Sequence, residues 1–561
     1  MKRTFFTILI SFLIINIYAQ REEKWKEDIN QLTSLLEKYH PSPYAHIEKG
    51  KFYENKEKLI LDLYNLTDSE IIVRMMKLVS SLRDGHTILL PIDPNGFNHW
   101  FPVSFYNFTD GIYIISGDPR YREFMGIPIK TIGSIPAEQI FEITADLMSS
   151  DNEFGRTWNT FFMSSGDALK GLGIIKNPNF LEISALTKQG RKIQTTIKAI
   201  ELPFNLEYRF SGEMYPPGTG SNGDYIFALD NRLVTDYAKM SRDSLMKDYP
   251  LHLQSRRAYW YKYIPEHKTI YLHMTHVTSE GRASYKSFEQ FYKDVFEFID
   301  QNNVEKFILD IRYNSGGDGS VLIPFVHQFI RCDKINQPGR LFTITGRKTF
   351  SAGVMLLDLM LKHTNTLIVG EPAGAPMNSY GDPMTYFLDN SKLQLDISTV
   401  YWQLTSSADT SRFEMVDIPA VFSGDEYFSE EDPSVDFLLN LKAPYKSLPD
   451  LLVEKGGKIC YTEYQARLKK FEKYLDFWRP FKEDLMRFAS RELYAAGSKE
   501  DGIIGFQMLV EQYPDSWRAW RDFGNAYLND NKKEEALDCF QKGFKINPGY
   551  EFFREQIEQL K

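Results

Sequence analysis

With 561 residues, 43% hydrophobic and 25% charged, the chain has room for roughly three to four domains and enough apolar content for packed cores. A net charge of -9 excludes nucleic-acid binding as the main task, because such domains carry a basic stripe. The 32 tyrosines and 41 phenylalanines exclude a disordered chain and fit several packed interfaces.

Residues 1–20 stand apart. Lys2 and Arg3 precede the apolar run Thr4 to Ile17, and Tyr18-Ala-Gln20 offers a small residue before a polar stretch. This is the pattern of a secretory signal peptide cleaved near Ala19 or Gln20. The run is shorter than the ~20 residues a membrane span needs, and no other stretch is long and apolar enough, so no stable membrane span is expected after cleavage. Cys332, Cys460 and Cys539 give neither a disulfide framework nor a metal-ligand spacing. No metal and no cofactor is expected. An exported chain with so few cysteines points to the periplasm or exterior of a bacterial cell.

Residues 21–98 read as a helical part. Trp25, Ile29, Leu32, Leu35 and Leu36 recur at helical spacing, as do Leu59, Ile60, Leu63 and Leu66. Pro41-Ser-Pro43 separates these helices, and a further helix from Ile71 to Leu82 stops at Asp84-Gly85. Residues 99–205 read as a β-rich module. Its strands are Val103 to Tyr106, Gly111 to Ile115, Ile127 to Ile132, Phe180 to Ala185 and Thr195 to Ala199. Ser134 and Pro136 start a helix within it. Residues 206–260 connect, with Pro216 to Gly223 as a plain loop.

Residues 261–445 alternate strand and helix. Strands are expected at Thr269 to Met274, Phe307 to Ile311, Leu341 to Thr345 and Thr366 to Val369. Helices are expected at Tyr285 to Asp300, Leu322 to Ile330 and Ala352 to Leu361. That rhythm implies an α/β layer structure with buried strands. In the helical tail, 446–561, Trp520, Gly524, Tyr527, Ala536, Phe540 and Pro548 fit the 34-residue tetratricopeptide pattern. Phe506 and Pro514 lie one period earlier. Two such helical pairs are marginal alone, so the tail is expected to dock on the chain or on a protein partner.

The chemistry concentrates in two segments, Phe307-Ile-Leu-Asp-Ile-Arg-Tyr-Asn-Ser-Gly-Gly317 and Lys348-Thr-Phe-Ser-Ala-Gly-Val354. The first is a buried strand stopping in a Gly-Gly turn, where backbone N–H groups can approach a ligand. The second puts Ser351 at the N-terminal end of an apolar helix, where free N–H groups and the dipole favour negative charge. A hydroxyl needs a proton acceptor and an oxyanion site before it is a useful nucleophile. The Ala352 N–H and that of Gly316 or Gly317 are the candidate oxyanion donors. Serine is also a preferred helix N-cap, which by itself accounts for the residue. His86, far upstream in Asp84-Gly-His-Thr87, is a candidate base because imidazole titrates near neutrality. On residues alone it ranks no higher than His276 or His363. Asp310 and Arg312 flank the strand end as a structural ion pair.

Together these segments resemble the S41 peptidases, the family of the C-terminal processing proteases and the tricorn core protease. Asp84-Gly-His-Thr87, Leu309-Asp-Ile-Arg-Tyr-Asn-Ser-Gly-Gly317, Thr349-Phe-Ser-Ala-Gly353 and Val369-Gly-Glu-Pro-Ala-Gly374 match the family's landmarks in order. The match spans roughly residues 25–440. The resemblance implies a ClpP/crotonase-like core, a helical N-terminal part and a PDZ-like module, for which Phe101 to about Ala199 is the match. It also implies two catalytic designs. In the Ser–Lys form a lysine follows the glycine of the Val-Gly-Glu segment; here Ala375 and Pro376 stand there, which disfavours it. The Ser–His form fits Ser351 and His86, with an acid as third member. Asp409 is the candidate, with Glu371 and Glu414 as competitors. Lys348 is a reserve base or a solvated loop charge.

The expected function is that of an exported serine peptidase cutting peptide or protein substrates through an acyl-enzyme. The alternatives are an inactive relative that binds peptides or other ligands in the same cleft, and an esterase on the same core. Lys170-Gly-Leu-Gly173 is a weak candidate for a carboxylate-binding loop in the PDZ-like part.

Overall fold

A computed structural model describes residues 2–92, 96–201, 250–254, 258–279 and 286–561, the side chains of 2–19 and 119 excepted. The expected loop at 216–223, most of the connecting region 206–260 and the side chains of the expected signal segment therefore lie outside the described residues. Among the described residues no helix is long and apolar enough to cross a membrane.

Helix α1 (Lys2–Tyr39) ends at the Pro41-Ser-Pro43 break and packs with α2 (Lys49–Asp62) and α3 (Asp68–Ser80). Leu32, Leu36, Phe52, Leu59, Ile72 and Met76 make their shared core. Thr67 starts α3 with a capping box closed by Glu70, which satisfies two otherwise unpaired backbone donors. Arg83, at φ 54°, then turns the chain away from the helix axis into Asp84-Gly-His. The next strand, β1 (Ile88–Leu90), carries the chain directly out of the histidine segment.

The β-rich module follows. A hairpin, β2 (Val103–Phe108) with β3 (Gly111–Gly117), precedes β4 (Ile129–Ile132), helix α4 (Ala137–Thr144), β5 (Phe180–Leu186) and β6 (Lys192–Lys198). β4, β5 and β6 are antiparallel neighbours. The module closes its own core around Phe105, Ile114, Ile140, Leu181 and Ile197. Tyr106, Phe108 and Tyr113 then pack against Tyr313, Phe422 and Tyr427 of the neighbouring unit.

That unit is a six-stranded sheet in the order β7 (Tyr259–Ile264), β8 (Thr269–Met274), β9 (Lys306–Asp310), β10 (Leu341–Thr345), β11 (Leu367–Gly370) and, at the edge, the short strand Ile418–Pro419. Only the β7–β8 pair is antiparallel. Helices α5 (Phe288–Gln301), α6 (Leu322–Arg331) and α7 (Ala352–His363) connect the parallel strands. Every residue of β8 and β10 is buried, which explains their continuous apolar reading: parallel strands covered on both faces carry no polar alternation. A long ribbon of β12 (Asn378–Phe387) and β13 (Gln394–Gln403) leaves this sheet, and β13 pairs with β1. The ribbon was not anticipated from the sequence. Its turn is anchored at the far end, where Asp28 accepts the N–H groups of Asn390 and Ser391.

The tail is helical from Leu448 to Leu560. The pairs Glu483–Ala495 with Lys499–Gln512, and Trp517–Asn529 with Lys533–Ile546, pack side by side. Gly524 faces the Phe540 ring and Gly543 the Phe553 ring, where an added Cβ would come within 2.5 and 2.3 Å of ring carbons. Trp478 inserts into the core of the six-stranded unit and donates its indole N–H to the Asp417 carbonyl at 3.2 Å.

The expected ion pair at the end of β9 is part of a larger buried cluster. The Arg312 guanidinium lies 2.8 Å from Asp310 and 3.1 Å from Asp432. Tyr271 donates to Asp310 at 2.7 Å, and His252 meets Asp432 at 2.9 Å. Burial alone would raise the Asp432 pKa, but the Arg312 and His252 partners hold it well below the usual carboxylate range. Removing one member of such a cluster strands the others without compensation. Arg312→Leu is therefore expected to lower the free energy of unfolding by about 3–5 kcal/mol, read from urea denaturation. The stabilisation from Asp432 is complete above its ordinary value of 3.8 and is lost as the pH falls below it.

Candidate active site

Parallel pairing brings two loops to the same end of the sheet. β9 and β10 run in register from Phe307–Leu341 to Asp310–Ile344, so the turn after Asp310 and the loop after Thr345 emerge side by side. The Asn314 carbonyl accepts the Phe350 N–H at 2.9 Å, and Thr349 donates its hydroxyl to the Ile311 carbonyl at 2.8 Å. These bonds lay Ser351 against Gly316. A Cβ on Gly316 would stand 2.5 Å from the Ser351 Cβ, 3.0 Å from its Oγ and 2.9 Å from the Ala352 nitrogen. Only glycine permits that approach, and Gly316 also has φ 99°.

Ser351 is the first residue before α7, yet it does not cap it. Its side chain makes no cap hydrogen bond, and its backbone sits at φ 52°, ψ -127°. That region is costly for any residue with a Cβ, of order 1–3 kcal/mol. A serine kept only as an N-cap would have extended backbone and a bonded hydroxyl. Here the hydroxyl is turned out of the capping role and is half-buried beside the helix N-terminus.

The candidate oxyanion donors divide. The Gly316 N–H is already bonded to the Asn314 side-chain oxygen at 2.9 Å. That bond commits Gly316 to shaping the turn, while among the described residues the N–H groups of Gly317 and Ala352 carry no hydrogen bond. Gly317, at φ 132°, also packs where an added Cβ would fall 2.1 Å from the Val277 carbonyl oxygen.

His86 arrives from the N-terminal part. Its ring stacks on Phe350, the residue before Ser351, with centroids 4.4 Å apart. No hydrogen bond joins His86 and Ser351 among the described residues, and catalytic hydrogen bonds commonly tighten only when substrate is bound. Burial lowers the His86 pKa, against the raising effects of the Asp84 carboxylate, the Tyr380 backbone and Asp382. The imidazole is thus neutral at pH 7, as a base must be. Its Nδ1 is buried without a partner.

Asp84 holds the histidine segment. It accepts the His86 N–H at 3.0 Å, the Thr87 hydroxyl at 2.5 Å and a bond from His40 Nε2 at 3.0 Å. The Ser42 N–H donates to His40 Nδ1 at 3.0 Å, so Nε2 carries the proton toward Asp84. Thr87 Oγ1 in turn accepts the Ser398 N–H of β13 at 3.0 Å. His40 and Asp151, the latter accepting the Gly85 N–H at 3.1 Å, gave no signal in the sequence.

The other candidates lie elsewhere or are otherwise engaged. The Asp409 carboxylate accepts from Thr405 Oγ1 at 2.8 Å and from the Ser411 N–H at 2.9 Å, within its own loop. Glu371 binds Arg347 through both oxygens, at 2.9 and 3.0 Å, and Glu414 pairs with Lys482 at 2.6 Å. Lys348 is not a solvated loop charge: it is buried, with its ammonium 5.2 Å from the Trp158 ring centroid. His363 sits in the last turn of α7, at the opposite end from Ser351. His276 Nδ1 is 3.1 Å from the hydroxyl of Thr275. Ala375 is buried at the place where a Ser–Lys enzyme would carry its lysine.

Comparison with solved structures places the architecture. A mutant of CPAF superposes with a TM-score of 0.51 at 10% identity, covering 74% of this chain and 96% of that one. The chain has an S41-peptidase fold. The photosystem II D1 C-terminal processing protease matches at 12% identity over 70% of this chain and 92% of that one, with a TM-score of 0.30. The tricorn protease matches at 13% identity over 75% of this chain and 36% of that one, with a TM-score of 0.33. No protein-family model matches the sequence, and no curated protein matches it. Within this S41-type fold the loops after β9 and β10 meet at one end of the sheet, and Ser351 lies where they meet.

Ser351→Gly is expected to raise stability by about 1 kcal/mol or more, because glycine occupies positive φ without the Cβ penalty. Ser351→Ala keeps the Cβ and is expected to leave the melting midpoint nearly unchanged. Denaturant curves of the two variants check this. A stabilised alanine variant together with an unchanged glycine variant would contradict the strained backbone.

Proposed function

We propose that this chain is a serine peptidase that hydrolyses peptide bonds with Ser351 as nucleophile and His86 as base. The observation that carries the reading is the strained, uncapping Ser351, set against Gly316 beside two unbonded N–H groups, with a neutral imidazole stacked on the preceding residue. The S41-type fold supports it.

In this reading His86 takes the Ser351 proton as Oγ attacks the carbonyl carbon. The N–H groups of Gly317 and Ala352 hold the oxyanion. His86 then gives the proton to the leaving amine, and the peptide C–N bond breaks. A water molecule, deprotonated by His86, attacks the acyl-enzyme and releases the carboxylic acid and free serine. Loss of one oxyanion donor typically costs ~10²–10³ in rate.

The remaining assignments follow the same reading. The β-rich module acts as a PDZ-like element that presents substrate to the cleft. The tail helices act as tetratricopeptide repeats that dock on this chain or a protein partner. The N-terminal segment directs export to the periplasm or beyond.

A fluorophosphonate probe is expected to label the wild-type chain, with labelling abolished in Ser351→Ala and slowed at least about 100-fold in His86→Gln. Peptide turnover alongside ester turnover supports the peptidase; ester turnover alone favours an esterase. Absence of labelling in folded wild-type protein would support a ligand-binding relative instead. Because burial lowers the His86 pKa from 6.5, kcat/KM is expected to reach half its plateau only below pH 6.5. A profile already half-lost at pH 7 would contradict a neutral, buried base.

A further inference from the structure

His86 and Asp151 each leave one buried polar atom without a partner, Nδ1 on the imidazole and Oδ2 on the carboxyl. Such atoms are rare in folded proteins and each calls for an explanation. These two border the same glycine. Asp151 Oδ1 accepts the Gly85 N–H at 3.1 Å. A Cβ on Gly85 would lie 2.7 Å from Asp151 Oδ2 and 2.9 Å from the edge of Phe350, the ring that stacks on His86.

We propose that Asp151 is the positioning residue for His86, its free oxygen accepting a hydrogen bond from the imidazole Nδ1–H. This rests on the reading of His86 as the base. The neighbouring acids are less suited. Asp84 already accepts from His40, Thr87 and the His86 backbone. Asp409 binds within its own loop, and Asp382 is exposed. The Tyr380 backbone carbonyl is the rival acceptor for the imidazole. With Nδ1–H bound to Asp151, the lone pair of Nε2 is left for the Ser351 proton, which is the tautomer a base requires.

Burial, reinforced by the Asp84 carboxylate, raises the Asp151 pKa well above the usual carboxylate range. A donor on its empty oxygen offsets that penalty and favours the ionised carboxylate, and the imidazolium formed during the reaction supplies both a donor and a charge. The charged and titratable groups around the pair are Asp84 and His40 behind the loop and Asp382 on β12.

Asp151→Asn tests this sharply. The Gly85 N–H needs an oxygen acceptor, so the amide oxygen stays on Gly85 and the NH₂ falls on the Oδ2 position. That NH₂ donates to Nδ1 and selects the opposite tautomer, with the proton on Nε2. The measurement is the ¹⁵N spectrum of histidine-labelled full-length protein at pH 8, with His86→Gln identifying the signal. Wild type is expected to show the Nδ1–H tautomer and Asp151→Asn the Nε2–H tautomer, with fluorophosphonate labelling slowed at least about 100-fold.

An unchanged tautomer and labelling rate in a folded Asp151→Asn protein overturns the proposal and gives the role to the Tyr380 carbonyl. If the variant does not fold, an Nε2–H tautomer in the wild-type spectrum overturns the proposal equally. If Asp151→Asn switches the tautomer but wild type takes no probe, the hydrolase reading fails while the hydrogen bond stands.

Discussion

The site depends on one close approach, that of the Asn314–Gly317 turn to the Ser351–Ala352 peptide. Everything on the nucleophile side follows from it. The Asn314 carbonyl fixes Phe350, the Asn314 side chain fixes the Gly316 N–H, and Gly316 leaves no room beside Ser351 for a Cβ. Ser351 sits at positive φ in this setting, and its hydroxyl makes no helix-cap bond and is half-buried beside the helix N-terminus. Local strain of this kind persists only where the surroundings over-determine it. Here the surroundings are two parallel strands ending at the same level.

The turn is held from behind by charge rather than by apolar packing alone. Arg312 lies two residues beyond the end of β9 and is bound by Asp310 on its own strand end and by Asp432, the N-cap of a later helix. His252 and Tyr271 complete the cluster. On the other side, Arg347 in the serine loop bonds to Glu371 and to the Asn107 carbonyl of the β-rich module. Buried ion pairs are weak sources of stability but strict about geometry. Their placement on both loops that form the site fits a role in fixing position.

The histidine side is built differently. Its segment is a short turn after α3 whose bonds run to α1 through His40, to β13 through Ser398 and to Asp151 through Gly85. Much of the core sheet was legible in the sequence because buried parallel strands carry unbroken apolar runs, and β8 and β10 coincide with their expected spans. The Gly-Gly turn and the serine at a helix start were legible from their residue types, while the four landmark segments were legible as a set only through their resemblance to the S41 peptidases. The β12–β13 ribbon was not legible, since the second half of each strand is almost continuously exposed and carries no alternation of buried and exposed positions. Nor were His40 and Asp151, because nothing in a sequence marks a lone polar residue that is buried only by distant partners. The Gly316 assignment shows the same limit: a glycine can be placed at the site from sequence, but whether its N–H is free depends on the Asn314 side chain.

The central claim is that Ser351, Gly317 and Ala352 form one acyl-transfer site. The most direct measurement is a crystal structure of the chain reacted with a peptidyl boronic acid. The account predicts a covalent bond from boron to Ser351 Oγ, with one boronate oxygen accepting the N–H groups of Gly317 and Ala352. Boron bound elsewhere, or bound to Ser351 with that oxygen facing away from both N–H groups, would contradict it.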